Sequence, residues 1–223
     1  MNLDMESLPF QNGERILFQG DSITDVGRRR NVMYDLGSGY VTMIRGLISA
    51  LRPDLNVEIL NRGNSGDRTP ELLQRWQQDC LELQPDWLSI YIGVNDVWRK
   101  RTERQGGQRH VPLSEYVVNY RLLLDQARDA GIRHLVLVSP TFIDKYANSD
   151  LNELLGEYDQ AVQGLAKEYG ALYVPLRQRL REVLQRTPEI EWLGDGCHPP
   201  PAGPAPARIP RGPRPPPSAS VSS

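Results

Sequence analysis

The chain has 223 residues, enough for one sizeable α/β domain with a real core, and length alone does not demand a second. Apolar residues make up 39% and charged residues 24%, the balance of a soluble globular chain. Lys plus Arg is 26 against 28 for Asp plus Glu, and the net charge of −2 gives no reason to expect a nucleic acid or a membrane as partner.

In chain order, residues 1–18 lack a basic start followed by an apolar stretch, so no signal peptide is expected and the protein is placed in the cytoplasm. A short apolar run over 16–18 stops at Gly20 and predicts a strand. Val41, Ile44, Leu47, Ile48 and Leu51 recur at helical spacing and predict a helix over 40–51. A second strand is predicted over 57–60. Leu72, Leu73, Trp76, Cys80 and Leu83 mark one side of a helix over 71–83. A third strand follows over 87–92. The next helix, 114–130, is predicted to be capped by Ser114 and closed by Gly131. The unbroken apolar run 135–138 is typical of a buried parallel strand. A helix over 150–169 ends at Gly170, a fifth strand covers 172–174, and a last helix covers 177–186. No apolar run approaches the roughly 18 residues of a membrane span.

Five strands separated by helices predict an α/β fold, a parallel sheet with helices on both faces. In such sheets a site lies at the carboxyl ends of the strands, so chemistry should follow strands directly. The end of the chain differs in kind. Ten of its 18 prolines fall between Pro199 and Pro217, and proline breaks helices and donates nothing to a sheet. The expected division is a domain over 1–203 and an irregular Pro-rich tail over 204–223. Cys80 and Cys197 are the only cysteines, expected as reduced thiols rather than a disulfide.

Three short motifs follow strands. Gly20-Asp21-Ser22-Ile23-Thr24-Asp25 would expose a serine at the sheet edge. Asn64-Ser65-Gly66-Asp67 contains a glycine whose N–H could approach a substrate oxygen closely. Gly93-Val94-Asn95-Asp96 carries an amide able to donate to a developing negative oxygen. Alone, each is also an ordinary strand-to-helix turn; together they converge on one edge. The fourth motif is Asp195-Gly196-Cys197-His198. Serine needs a base to become a nucleophile, imidazole suits that role, and a carboxylate must orient the imidazole. His110, in a polar loop, and His134, opening a strand, are weaker candidates.

The blocks Gly20-Asp21-Ser22, Gly66, Asn95 and Asp195-x-x-His198 resemble the SGNH (GDSL) hydrolase family, in family order over residues 15–198. The resemblance implies a three-layer α/β/α, flavodoxin-like fold with a five-stranded parallel sheet. It implies Ser22 as nucleophile, His198 as base and Asp195 as its partner, with no metal or cofactor. The oxyanion hole would comprise the N–H of Ser22, the N–H of Gly66 and the Asn95 side chain. The stretches GDSITDVGR, LGSGYV, NRGNSGDRTPEL, PDWLSIYIGVNDVWR and RHVPLSEY are similar to acetylxylan-esterase-like bacterial members, which implies O-acetyl groups on xylo-oligosaccharides as substrate. Asp21, Trp98, Arg99 and Trp192 are candidate substrate contacts; the tryptophans read equally well as core or rim packing. The alternatives are a lipase or thioesterase of the same family, or an inactive member. Pro204 stands where the family usually has histidine, and the tail replaces a final amphipathic helix. The switch is as abrupt as a change of reading frame near residue 199 would make it. A sheet face left without cover would leave the chain fragile or favour a homo-oligomer.

Overall fold

The computed structural model describes residues 8–141 and 149–187. Successive side chains of a strand point to opposite faces of a sheet, and β1 (Arg15–Gly20) uses both. Leu17 enters one apolar core with Leu60, Leu88, Ile90 and Leu137, while Ile16 and Phe18 enter another with Ile59 and Trp87. β1 pairs with β2 (Glu58–Asn61) on one side and β3 (Trp87–Tyr91) on the other; β4 (His134–Val138) and β5 (Leu172–Val174) continue the sheet. All pairings are parallel, in the order β2-β1-β3-β4-β5. The expected α/β fold with a five-stranded parallel sheet is thus present.

The helices are α1 (Ser22–Asp25), α2 (Tyr40–Leu51), α3 (Thr69–Gln74), α4 (Trp76–Asp79), α5 (Val94–Trp98), α6 (Leu113–Asp129), α7 (Asp150–Glu168) and α8 (Leu176–Arg186). Leu72, Trp76, Leu123, Leu124, Val162 and Leu165 pack α3, α4, α6 and α7 on the first face. Val41 and Ile48 of α2 pack with Leu36 on the second. Burying this much apolar surface, at about 25 cal/mol per Å², is what offsets the entropy of ordering the chain.

Three expectations need correction. The helix predicted over 71–83 is broken: α3 and α4 are separated by Arg75 (φ −103°, ψ 4°), and a 3₁₀ turn over Leu81–Leu83 follows. The apolar residues keep their buried side, but the backbone leaves the helix at Arg75, whose guanidinium bonds to the ends of β1 and β2. Ser114 does not cap α6. Pro112 holds the cap position, and Ser114 lies inside the first turn. On α2, Leu47 is exposed despite its place in the apolar pattern. The glycine stops do hold, with Gly131 and Gly170 at φ +81° and +60°, a region open to glycine at little cost.

On the second face, beyond α2, lies an apolar groove of about 380 Å³. It is lined among others by Trp87, Tyr91, Val136, Val138, Leu172 and Val174. β5 is an edge strand, and its Leu172 is 57% exposed. The tail over 204–223 and the boundary at 203 lie outside the described residues.

Candidate active site

β1 ends in a turn that leaves no room for side chains. A methyl group at Gly20 would come within 2.4 Å of both the Thr24 hydroxyl and the Tyr91 carbonyl. The next residue, Asp21, caps α1, its carboxylate accepting from the Ile23 amide at 3.0 Å. Ser22 is the first helical residue, at the carboxyl edge of β1. Its N–H thus stands at the start of α1, just after the end of β1.

The loop after β2 is pressed against this turn. The Asn64 amide donates to the Gly20 carbonyl at 3.0 Å. The Asn61 side chain donates to the carbonyls of Thr24 (2.7 Å) and Leu36 (2.8 Å) and accepts from the Gly63 amide (2.9 Å). Ser65 donates through both its amide (3.1 Å) and its hydroxyl (2.9 Å) to Asp25 of α1. Gly66 follows at φ +87°, a conformation that turns its N–H in a way an L residue resists. Asp67, 3% exposed, accepts from Arg75 Nε at 2.6 Å and from the Asn64 side chain.

The third component comes from β3. Gly93, at φ +134°, leads into α5, and Asn95 donates from its side-chain amide to the Asp67 carbonyl at 3.1 Å. An Asn amide carries two N–H donors, and this bond uses one of them. Asp96, with no exposed surface, accepts from the Thr69 amide (3.0 Å) and hydroxyl (2.7 Å), fixing α5 to the start of α3. Ser22, Gly66 and Asn95 therefore follow three neighbouring strands and share one edge, as the motifs predicted.

Two carboxyl groups in this framework titrate in opposite directions. Burial pushes Asp96 up to about 7, although the Thr69 bonds pull it down. Burial also works to raise Asp25, but the bonds from Arg30 and Ser65 outweigh it and hold the carboxyl below the usual range. Arg28 closes the same cluster, donating to the Gly63 carbonyl at 2.7 Å.

Among the proposed contacts, Trp98 is half-buried against the core, and the Arg101 guanidinium lies 5.1 Å over its ring. One ring face is thus occupied by a cation. Arg99 is half-buried, and its Nε has no hydrogen-bond partner among the described residues. A methyl group at Gly66 would lie 3.6 Å from Arg99 Nη2, which places this guanidinium beside the candidate oxyanion loop. Asp195, His198 and Trp192 lie outside the described residues. His134, a weaker candidate for the base, stacks on Trp87 with ring centroids 4.1 Å apart. His110 is not simply solvated: its Nδ1 sits 2.5 Å from Glu103. Cys80 is buried and unpaired in the core, where burial pushes its thiol pKa up. Asp25, Asp67 and Asp96 close the three motifs but were given no role there, and Arg75 lies outside them; partners such as Ser65 for Asp25, Thr69 for Asp96 and Gly20 for Arg75 are remote in sequence.

The sequence profile of the GDSL-like Lipase/Acylhydrolase family matches residues 18–205. An acetylxylan esterase from Geobacillus stearothermophilus is 34% identical over 196 residues, covering 86% of this chain and 89% of that protein. The human isoamyl acetate-hydrolyzing esterase 1 homolog is 24% identical over 209 residues, covering 85% and 76%. The crystal structure of the Geobacillus esterase superposes with a TM-score of 0.80, covering 88% of this chain and 91% of that one. Structures of its catalytic mutants replace a serine, an aspartate and a histidine, the aspartate three residues before the histidine.

Proposed function

Because the chain belongs to the GDSL-like lipase/acylhydrolase family and is a carboxylic ester hydrolase, we propose that it removes O-acetyl groups from carbohydrates, acetylated xylo-oligosaccharides in particular, through an acyl-enzyme on Ser22. One observation carries this reading: Ser22, Gly66 and Asn95 stand after three adjacent parallel strands, and the Asn95 amide is bonded to the residue following Gly66. Asp195 and His198 have the same spacing as the aspartate and histidine altered in the catalytic mutants of the Geobacillus esterase.

In this mechanism Ser22 Oγ attacks the ester carbonyl while His198 takes its proton. The oxyanion is met by the N–H groups of Ser22 and Gly66 and by the Asn95 amide. His198 then protonates the departing sugar hydroxyl, leaving an acetyl group on Ser22. Water, deprotonated by His198, releases acetate and restores the serine. Asp195 keeps the imidazole in the required tautomer. No step calls on a metal. Arg99, whose Nη2 lies beside Gly66, suits a substrate oxygen, and the Arg- and Gln-rich stretch 98–111 suits a polar substrate better than a long acyl chain.

The test is a chain-length series of p-nitrophenyl esters, followed by acetylated xylo-oligosaccharides. Acetate is expected to turn over faster than butyrate, and Ser22→Ala to lose activity by on the order of 10⁴-fold or more. Faster turnover of octanoyl than acetyl esters would place the chain among long-acyl hydrolases. Activity surviving Ser22→Ala would remove the serine mechanism.

A further inference from the structure

We propose that Arg75 is a positioning residue for catalysis, a clamp that holds the Ser22 turn and the Gly66 loop at a fixed separation. The inference rests on the serine-esterase reading and extends it to a residue outside the four sequence blocks. Arg75 is the single residue interrupting α3 and α4. Its guanidinium, 16% exposed, reaches back to the carboxyl ends of β1 and β2. Nε donates to Asp67 at 2.6 Å, and Asp67 directly follows Gly66. Nη2 donates to the carbonyl of Gly20 at 3.2 Å, two residues before Ser22. Nη1 donates to the Arg62 carbonyl (2.7 Å) and the buried Gln19 side chain (2.8 Å), with Asp79 at 3.3 Å.

One rigid, planar group thus touches the strand that delivers the nucleophile and the loop that delivers an oxyanion donor. Asp67 in turn accepts from Asn95 through its carbonyl, so the clamp extends to the third donor. Oxyanion stabilisation depends on donors being fixed in advance of the charge they meet. Displacing one by about 1 Å can cost roughly 10²-fold in rate. A lysine carries a point charge on a flexible stem and lacks the fork that serves several acceptors at once. The break in the helix fits this role, because a continuous helix over 71–83 would lack the turn at Arg75 that accompanies this reach.

The alternative is a purely structural arginine, and the two differ in what they predict per folded molecule. The experiment compares wild type, Arg75→Lys and Arg75→Ala with p-nitrophenyl acetate, at a temperature where circular dichroism shows each fully folded. Competent sites are counted by phosphonate titration of Ser22. Positioning predicts that kcat per titrated site falls about 10- to 100-fold in both variants, with KM changed far less. Millimolar guanidinium should restore part of the loss in Arg75→Ala and nothing in Ser22→Ala. Should Arg75→Ala fail to fold, Asp67→Asn removes the clamp's acceptor on the loop side and is expected to show the same split. A kcat per site within twofold of wild type, with only the melting temperature lowered, would overturn the proposal. Wild type that hydrolyses no ester would remove the esterase reading and this inference with it; active wild type with unchanged variants would remove this inference alone.

Discussion

A carboxyl group without exposed surface, as in Asp96, is held there most easily in its neutral form. Its folded pKa of about 7 lies above the unfolded value of about 3.9. The stability it contributes is therefore complete below the unfolded value and is lost as pH rises through about 7. Asp96→Asn fixes the neutral shape and should remove this dependence. The difference in unfolding free energy, variant minus wild type, should rise between pH 4 and 7 with a slope of up to about 1.4 kcal/mol per pH unit. Urea titrations at pH 5 and 8 would check this; parallel curves for the two proteins would contradict it. Beside it, Asn95 is proposed to act on charge that exists only in the transition state. Asn95→Ala is expected to lower kcat by roughly 10²–10³ with a smaller change in KM, and steady-state kinetics on p-nitrophenyl acetate read this directly. That Ser22, Gly66 and Asn95 share one sheet edge was legible in the sequence because each motif stands straight after a strand. Asp96 and Arg75 were not: an acid or an arginine gains its role from partners dozens of residues away, such as Thr69 and Gly20.

At the scale of elements, the tight points are where strands become helices. Gly93 combines φ +134° with a contact no side chain could avoid, a methyl group there falling 2.9 Å from the Tyr116 hydroxyl. That hydroxyl donates to the Ile92 carbonyl, so neither partner can yield without losing a buried bond. Gly93→Ala should destabilise the fold by about 1–3 kcal/mol and reduce kcat through α5, both readable from thermal melts and turnover at a permissive temperature. The five strands followed from short apolar runs, because a sheet buried on both faces needs apolar residues on each. The longer helices such as α2 followed from apolar spacing, whereas the short α1 and α5 were not predicted. What periodicity could not show was the break at Arg75. Leu72, Trp76 and Cys80 stay buried on either side of it, so the pattern reads as one helix although the backbone makes two. The cap of α6 was missed because Ser114 has the chemistry of a cap while Pro112 has the required extended backbone (ψ 152°).

For the whole molecule, the apolar groove beyond α2 sets the terms. Each 100 Å² of such surface left wet costs about 2.5 kcal/mol, against a total stability of roughly 5–15 kcal/mol for a domain. We expect the Pro-rich segment 204–223 to add little cover, so replacing it with an amphipathic helix should raise the melting temperature. A melting temperature unmoved by that replacement, or sedimentation showing a monomer at all concentrations with a high melting point, would contradict the expectation of a fragile or self-associating chain. The sheet order has a consequence of another kind, in the timing of synthesis. The Ser22 turn, the Gly66 loop and Asn95 all fall within the first 95 residues, on strands that neighbour one another. Asp195 and His198 leave the ribosome about 100 residues later. On the proposed mechanism, a nascent chain would thus carry the nucleophile and the oxyanion donors long before it carries a base. Hydrolysis by that mechanism would wait for residues 195–198, and the chain would be silent until they emerge.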